Sequence, residues 1–163
     1  MKIGVMSDSH DNLPAIRRAL ARFEAEGAEC IIHAGDIVAP FSVKELLKFK
    51  GPVYGCFGNN DGEKAGIRAL WPAVAEPPCE VRLGGRRILL THDEAALQKA
   101  PELLERAEVV IFGHSHKIVP GERRRGGPVR LNPGECGGWL TGMSTVAILD
   151  TDTLEVRILT LGD

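Results

Sequence analysis

Short apolar segments alternate with amphipathic ones over the first sixty residues, and this alternation restricts the fold more than any other feature of the sequence. Apolar segments that predict strands lie at residues 2–7 (KIGVMS), 30–33 (CIIH) and 53–57. Helical spacing of apolar residues after Asn12, a capping residue, predicts a helix to about residue 26, and a shorter helix is expected at residues 42–50. Such alternation favours parallel strands with helices packed on the sheet faces.

The second half of the sequence has a different pattern. Two apolar segments, residues 79–83 and 86–91, flank Gly84-Gly85, a pair suited to a tight hairpin. A helix is predicted at residues 95–107, with Pro101 an awkward residue inside it. Further strands are predicted at residues 109–112, 145–149 and 155–161. We therefore expect an α/β fold with mixed sheets, in a single domain that spans residues 1–163.

Composition excludes several classes of protein. With 163 residues, of which 44% are hydrophobic and 26% charged, the chain fits an ordinary globular domain with a substantial core. The N-terminus lacks the pattern of a secretory signal, and no apolar run is long enough to cross a bilayer. The four cysteines are widely separated, which favours free thiols. We expect a cytoplasmic protein, and its net charge of −2 gives no overall attraction to nucleic acid or membrane.

Polar side chains that can bind metal ions follow five of the predicted strands. They lie in the segments SDSH (residues 7–10), GD (35–36), GNND (58–61), TH (91–92) and GHSH (113–116). Each segment alone is also typical of an ordinary turn or helix cap. Because open α/β folds place ligand sites at the carboxyl ends of strands, the five segments together predict one shared polar site.

These motifs resemble those of the calcineurin-like metallophosphoesterases, and in particular the small single-domain YfcE-like phosphodiesterases. The resemblance runs from MKIGVMSDSHDN through IHAGD, GNNDG, LLTH and GHSH to NPGECGGWLTG, nearly the whole chain. It implies an αββα sandwich, in which two mixed β-sheets pack together between helices. It also implies two divalent metal ions, one held by Asp8, His10, Asp36 and His116 and the other by Asp36, Asn59, His92 and His114, with Asp36 as the bridge.

The implied activity is hydrolysis of a small phosphodiester by a hydroxide that the two ions activate. Carboxylate, imidazole and amide ligands without thiolate suit Mn, which we prefer, and also Ni, Fe or Zn. The residues expected to serve catalysis besides the ligands are Asn60 and Asp61, with Asp36. Phosphomonoesterase activity, or a non-catalytic metal-binding scaffold like the retromer subunit of similar fold, is the alternative.

Several residues depart from the wider family pattern. Where many relatives carry a histidine that protonates the leaving group, this chain has Asn60, so we expect a preference for acidic, aryl-like leaving groups. Asp93 and Glu135 stand where many relatives have Gly and Ser or Thr, and Asp93 is expected to repel a phosphate or to reach a metal ion. The segment that begins at Asn132 is interpreted as a structural turn beside the site.

Other polar and aromatic residues receive less specific predictions. His33 precedes the GD motif and is expected in the core or behind a ligand, whereas Asp61 is expected either to hold Asn59 or a histidine or to cap the next helix. The run at residues 123–125 (RRR) is interpreted as a solvated turn, which makes nucleic acid an unexpected partner. Trp71 and Trp139 are candidates for exposed contacts between subunits but are expected to be packing residues, and self-association is left open.

Overall fold

The chain forms eleven strands and four α-helices within residues 1–123 and 126–162, which the computed structural model describes. The strands are β1 (Lys2–Met6), β2 (Cys30–His33), β3 (Val53–Cys56), β4 (Val74–Ala75), β5 (Cys79–Leu83), β6 (Arg86–Leu90), β7 (Val109–Ile111), β8 (Val119–Arg123), β9 (Val129–Asn132), β10 (Ser144–Asp150) and β11 (Val156–Leu161). The helices are α1 (Leu13–Glu26), α2 (Pro40–Leu46), α3 (Lys64–Leu70) and α4 (Pro101–Arg106), with a 3-10 segment at Glu94–Lys99.

The strands form two sheets of mixed direction. The first has the order β11-β10-β1-β2-β3-β4 and the second β5-β6-β7-β9-β8, for the part of the chain described. In the first sheet β1 to β4 are parallel, while β10 lies antiparallel to β1. In the second sheet β6, β7 and β9 are parallel, and β5 and β8 are antiparallel edge strands. The expectation of mixed sheets is confirmed.

Alternating side chains divide the core into three apolar layers. In β6, Ile88 and Leu90 join the layer between the two sheets, whereas Leu89 faces the layer beneath α4 and the 3-10 segment. In β2, Ile32 lies between the sheets and Ile31 lies in the layer that α1 and α2 cover. Each sheet therefore packs on the other sheet and on helices, which confirms the αββα sandwich.

The first helix forms as its sequence predicts. The Asn12 side chain accepts a hydrogen bond from the backbone N–H of Ala15 at 3.2 Å, and the helix ends at Gly27 with a left-handed φ of 73°. Phe23 is fully buried against Gly4 of β1, where a β-carbon would lie 2.7 Å from the aromatic ring. Glycine at that position allows α1 to pack closely on the sheet.

Other elements differ from the sequence-based expectations. The helix expected at residues 95–107 is two segments, because Pro101 lacks an N–H and therefore begins α4 instead of continuing the 3-10 turn before it. The helix expected at 42–50 runs from Pro40 to Leu46. Trp71 is buried as expected, but the prediction for Trp139 was wrong, since 64% of that residue is exposed.

The arginine run and the apolar character of the helices complete the comparison with the sequence. Arg124 and Arg125, in the arginine run interpreted as a solvated turn, lie outside the described residues, and Arg123 ends β8. Among the helices described, none combines the length and the apolar character that crossing a membrane requires.

Candidate functional site: convergent metal-ligand side chains

The predicted ligands lie in loops that follow strands of both sheets. Asp8 and His10 follow β1, Asp36 follows β2 and Asn59 follows β3, so these four belong to the first sheet. The other three belong to the second sheet, where His92 follows β6 and His114 and His116 follow β7. The two sheets bring the seven side chains together at one edge of the sandwich, as the sequence predicted for a shared site.

One group of side chains surrounds the Asp8 carboxylate. Its Oδ1 atom lies 3.8 Å from Nε2 of His10 and 3.4 Å from Nε2 of His116. Each of these three residues offers one ligand atom, and the three atoms all lie within 4.8 Å of one another. A second such group comprises Asp8, Asp36 and His92. Two overlapping clusters of this size can hold two neighbouring cations.

Asn59 joins the histidines of the second sheet to the first. Its Oδ1 atom lies 3.0 Å from Nε2 of His92 and 2.9 Å from Nδ1 of His114. The Oδ2 atom of Asp36 lies 3.3 Å from Nε2 of His92 and 3.7 Å from Nε2 of His10. Asp36 thus lies between the group around Asn59 and the group around Asp8.

Several of these atoms are buried without a hydrogen-bond partner. Within residues 1–123 and 126–162 they include Oδ1 of Asp8, Nε2 of His10 and Nδ1 of His116. Burial raises the pKa of Asp8, with partial compensation from its hydrogen bond to Ser7. Because an unpaired buried carboxylate oxygen is costly, a cation bound between Asp8 and His10 would satisfy Oδ1 of the one and Nε2 of the other, whereas Nδ1 of His116 faces Glu135 instead.

The two buried carboxylates have opposite shifts. Burial alone would raise the pKa of Asp36, but contacts with His92 and hydrogen bonds from Asn60 hold that pKa well below its ordinary value. Asp36 is therefore ionised at neutral pH. An ionised carboxylate beside imidazole nitrogens and an amide oxygen is a donor set that suits hard to borderline divalent cations.

Backbone contacts fix the orientation of His92. Its Nδ1 atom lies 2.8 Å from the carbonyl oxygen of Ala34, so Nδ1 carries the proton that it donates to this oxygen. Burial alone would lower the pKa of His92, but its contacts with Asp36 raise it, so a proton on Nε2 competes with a metal ion for this atom. Because Nδ1 is held by Ala34, Nε2 is the ring atom that a metal ion would contact.

Five of the seven residues have left-handed backbone conformations. The φ angles are 54° for Asp8, 41° for His10, 60° for Asp36, 65° for His114 and 56° for His116. Residues other than glycine adopt this region at a cost, and such strain is concentrated at functional sites. The directions of the His114 and His116 rings are therefore set by left-handed turns.

Glycines allow the loops to approach one another. A β-carbon on Gly58 would overlap the Asp36 carboxylate, and one on Gly113 would overlap the Ser7 hydroxyl and lie 2.6 Å from Oδ2 of Asp8. The backbone N–H of His114 donates to the same oxygen of Asp8 at 3.1 Å. Gly113 is required here for the close approach of the loop after β7 to the loop after β1.

Asn60 and Asp61 both form hydrogen bonds with Asp36. The backbone N–H of Asn60 donates to Oδ1 of Asp36 at 2.8 Å, and its side-chain amide donates to Oδ2 at 2.7 Å. Asp61 accepts backbone hydrogen bonds from Asp36, Val38 and Gly58 at 3.2, 2.6 and 2.7 Å. Asp61 therefore ties two strand-end loops together, and it neither caps α3 nor holds Asn59 or a histidine.

His33 is a structural residue of the strand ends, as expected. Its Nδ1 atom accepts a hydrogen bond from the N–H of Gly35 at 3.2 Å, so Nε2 carries the proton and donates to the Ser9 hydroxyl at 3.0 Å. Burial lowers the pKa of His33 to about 3. The residue is neutral at physiological pH and joins the loops that follow β1 and β2.

Glu135 is a residue whose role the sequence did not suggest. The buried carboxylate accepts hydrogen bonds from the backbone N–H groups of Leu140 and Thr141 and from the Thr141 hydroxyl, and Oε2 lies 3.5 Å from Nδ1 of His116. Burial alone would raise the pKa of Glu135, but these donors lower it. An acid after the turn at Asn132 was the available signal, although it was interpreted only as a departure from the family.

Asn132 also stabilises the loop that carries His114 and His116. The buried side-chain amide of Asn132 donates to the carbonyl oxygen of Gly113 at 2.9 Å and to the Ser115 hydroxyl at 3.2 Å, while its oxygen accepts from the N–H of Gly134. The turn interpretation is confirmed. Asp93 caps the 3-10 segment by accepting from the N–H of Ala95 at 2.9 Å.

Solved structures of similar fold include an archaeal phosphodiesterase, with a TM-score of 0.87, 36% identity and coverage of 99% of this chain and 100% of that one. Vps29 from Entamoeba histolytica has a TM-score of 0.69 and covers 99% of this chain and 100% of its own, but at 18% identity this likeness shows the fold alone.

Comparison of the sequence with known proteins gives the family. Phosphodiesterase MJ0936 of Methanocaldococcus jannaschii is 37% identical over 169 residues, which cover 99% of both chains. Phosphodiesterase YfcE of Escherichia coli is 30% identical over 173 residues, which cover 96% of this chain and 91% of that protein. Residues 1–154 match the calcineurin-like phosphoesterase superfamily domain, and the chain therefore belongs to the calcineurin-like phosphoesterase superfamily.

Proposed function

We propose that this protein is a metal-dependent phosphodiesterase that acts on small phosphodiesters through a dinuclear metal centre. The observation that supports this proposal most strongly is the convergence of seven oxygen and nitrogen donors from two sheets around buried atoms that lack hydrogen-bond partners. The phosphodiesterase relatives, which align over nearly their whole length, support the same reaction.

The donor set divides into two groups with one carboxylate between them. Asp8, His10 and His116 would hold one ion, Asn59, His92 and His114 the other, and Asp36 would contact both. Two divalent ions held there would act as Lewis acids on the phosphoryl oxygens and lower the pKa of water to supply hydroxide. We propose Mn as the ion, with Ni, Fe or Zn as alternatives that the same nitrogen and oxygen ligands accept.

The charges of the protein side chains suit a diester. Only two of the seven ligands are carboxylates, so they offset half of the charge of two divalent ions, while the imidazoles and Asn59 leave the remainder in place. This positive charge attracts a monoanionic diester and a hydroxide together. Asp61 and Asn60 do not bind the ions in this scheme, and they hold Asp36 and its loop in position.

A scaffold role is the alternative from a different class of function. Vps29 shares the fold, but all seven ligand positions of this chain carry side chains that can bind metal, and they lie within contact of one another. This completeness favours catalysis. We further propose that the enzyme acts in the cytoplasm, which its four free and mostly buried cysteines support.

The proposal is tested by metal-dependent hydrolysis. Protein stripped with a chelator is expected to be inactive and to regain turnover of a bis-aryl phosphodiester when Mn²⁺ is added. The matching aryl monoester is expected to react more slowly, because its second negative charge lacks a further cationic partner. Turnover of the monoester above that of the diester would establish a phosphomonoesterase, and absence of turnover with Mn²⁺, Ni²⁺, Fe²⁺ or Zn²⁺ would favour the scaffold role.

Replacing Glu135 is expected to weaken metal binding at His116. The carboxylate favours a proton on Nδ1 of His116, which leaves the lone pair on Nε2 beside Asp8. We expect Glu135→Ala to lower the affinity for one of the two ions by about 10- to 100-fold, and Glu135→Gln to lower it less. Titration calorimetry with Mn²⁺ on the stripped protein measures this change without any substrate.

Glu135 also anchors the loop at residues 140–141, so a control must separate the two roles. Thr141→Val removes the hydroxyl that donates to Glu135 but leaves the carboxylate and its contact with His116. It is expected to bind both ions with nearly unchanged affinity. Wild-type affinity at both sites in Glu135→Ala would show that the carboxylate has only a structural role.

A further inference from the structure

Two clefts border the candidate metal centre and share a wall. Asp93 and His114 line both of them. The larger, cleft A, has a volume of about 590 Å³ and is lined in addition by Glu94, Ala95, Leu97, Leu104, Phe112 and Arg130. The smaller, cleft B, has a volume of about 300 Å³ and is lined in addition by Phe57, Lys64, Glu76, Pro77, His92 and Ala96.

This arrangement matches the shape of a phosphodiester. A diester carries two organic arms on one phosphorus, whereas a monoester carries one. A phosphorus held at His114 and its neighbouring ligands lies next to the wall between the clefts, so each arm can enter a different cleft. Cleft A has about twice the volume of cleft B and contains Leu97, Leu104 and Phe112, so it suits the bulkier arm.

The charges in the clefts indicate which arms are accepted. In cleft A, Arg130 is paired with Glu94, and in cleft B, Lys64 is paired with Glu76 at 3.0 Å. Asp93 adds a carboxylate to the shared wall. Each cationic side chain of the two linings therefore already has an acidic partner, and an arm with a second phosphate would meet excess negative charge.

We propose that the substrate is a phosphodiester with two organic arms free of further phosphate, the bulkier arm bound in cleft A and the smaller one in cleft B. This inference rests on the proposed phosphodiesterase function and names its substrate class. It assigns substrate contacts to residues 94–97 and to Lys64, none of which belongs to the predicted metal site.

Neighbouring alanines provide a matched test. Ala95 lines cleft A and Ala96 lines cleft B, so Ala95→Phe and Ala96→Phe fill one cleft each with the same side chain. Ala25 is exposed on α1, and Ala25→Phe serves as the control for an added phenyl group. The substrates are a bis-aryl diester and an aryl methyl diester, in which only the leaving group is bulky.

Both cleft variants are expected to raise KM for the bis-aryl diester by about tenfold, because each removes apolar space that an arm requires. With the aryl methyl diester, whose bulky arm is assigned to cleft A, only Ala95→Phe is expected to raise KM, and a rise for Ala96→Phe alone would overturn the assignment of the arms. Equal effects of both variants on both substrates, or no effect of either, would overturn the inference. Thermal unfolding checks the fold, and the smaller changes Ala95→Met and Ala96→Met replace any variant that does not fold.

The charge argument has its own test. A bis-aryl diester with an additional phosphate on one ring is expected to have kcat/KM at least about tenfold below that of the unmodified diester. Equal values would refute the exclusion of phosphorylated arms. The wild-type protein must first hydrolyse the unmodified diester. If it does not, the proposed phosphodiesterase function itself fails, and if it does, the results above test only the assignment of the two clefts.

Discussion

Replacing Asp36 with Asn is expected to lower phosphodiester hydrolysis by more than about 10³-fold in the presence of Mn²⁺, since changes even behind a metal ligand cost 10- to 100-fold. Both oxygens of the Asp36 carboxylate accept hydrogen bonds from Asn60. The amide of an asparagine at position 36 has one oxygen and one NH₂ group. In either orientation the NH₂ group would face one of the two N–H donors of Asn60, and that hydrogen bond would be lost. The substitution also removes the negative charge that lies between His10 and His92.

The measurement is kcat/KM for a bis-aryl diester, with metal content determined on the same samples. Asp152→Asn is the matched control, because the Asp152 side chain is 78% exposed and lies outside the predicted site. This control is expected to retain wild-type activity. Turnover of Asp36→Asn within tenfold of the wild type would contradict a metal centre built around Asp36.

The second large effect concerns the leaving group. Asn60 follows Asn59 at the position where the family resemblance leads us to expect a histidine, and an amide cannot protonate a departing alkoxide. General-acid catalysis would reduce the intrinsic advantage of aryl over alkyl leaving groups by about 10²- to 10⁴-fold, so without it the full intrinsic difference in rate between aryl and alkyl diesters is expected to be retained. A plot of log(kcat/KM) against leaving-group pKa across a series of aryl methyl phosphates is expected to be steep.

Asn60→His is expected to flatten that plot by supplying a proton donor. The same change removes the side-chain hydrogen bond to Asp36, and Asn60→Ala loses this bond without adding an acid, so it is the appropriate control. The histidine variant is expected to exceed the alanine variant on poor leaving groups. A shallow dependence in the wild-type protein would mean that water or another side chain already donates the proton.

Local sequence patterns predicted β1, β2, β3, β10 and β11 of the first sheet with α1 and α2, but neither α3 nor the two-residue strand β4. Asn12 and Gly27 bound α1 because a side-chain cap and a left-handed glycine have clear local signatures. The hairpin at Gly84-Gly85 was predicted for a similar reason. Pro101 shows the limit of periodicity, because the apolar spacing continues across it while its missing N–H begins a new helix.

The long-range arrangement could not be predicted from local patterns. β1 pairs with β10, far away in sequence, and no turn signal specifies that partner. For the site, residue types at strand ends predicted which side chains meet, because strand direction alone places them at one edge. The contacts of Asp61 with the loop after β2 depend on how loops from different strands pack, and no local motif specified that Glu135 would accept hydrogen bonds from residues 140 and 141 of its own loop.

The division of the ligands between the two sheets has a thermodynamic consequence. Unfolding separates the loops after β1, β2 and β3 from those after β6 and β7, so the unfolded chain does not present the complete ligand set. By mass action, free metal at about 100 times its dissociation constant adds about 2.7 kcal/mol per site to the free energy of unfolding. The metal supply would then determine both the rate of hydrolysis and how firmly the two halves of the sandwich remain joined.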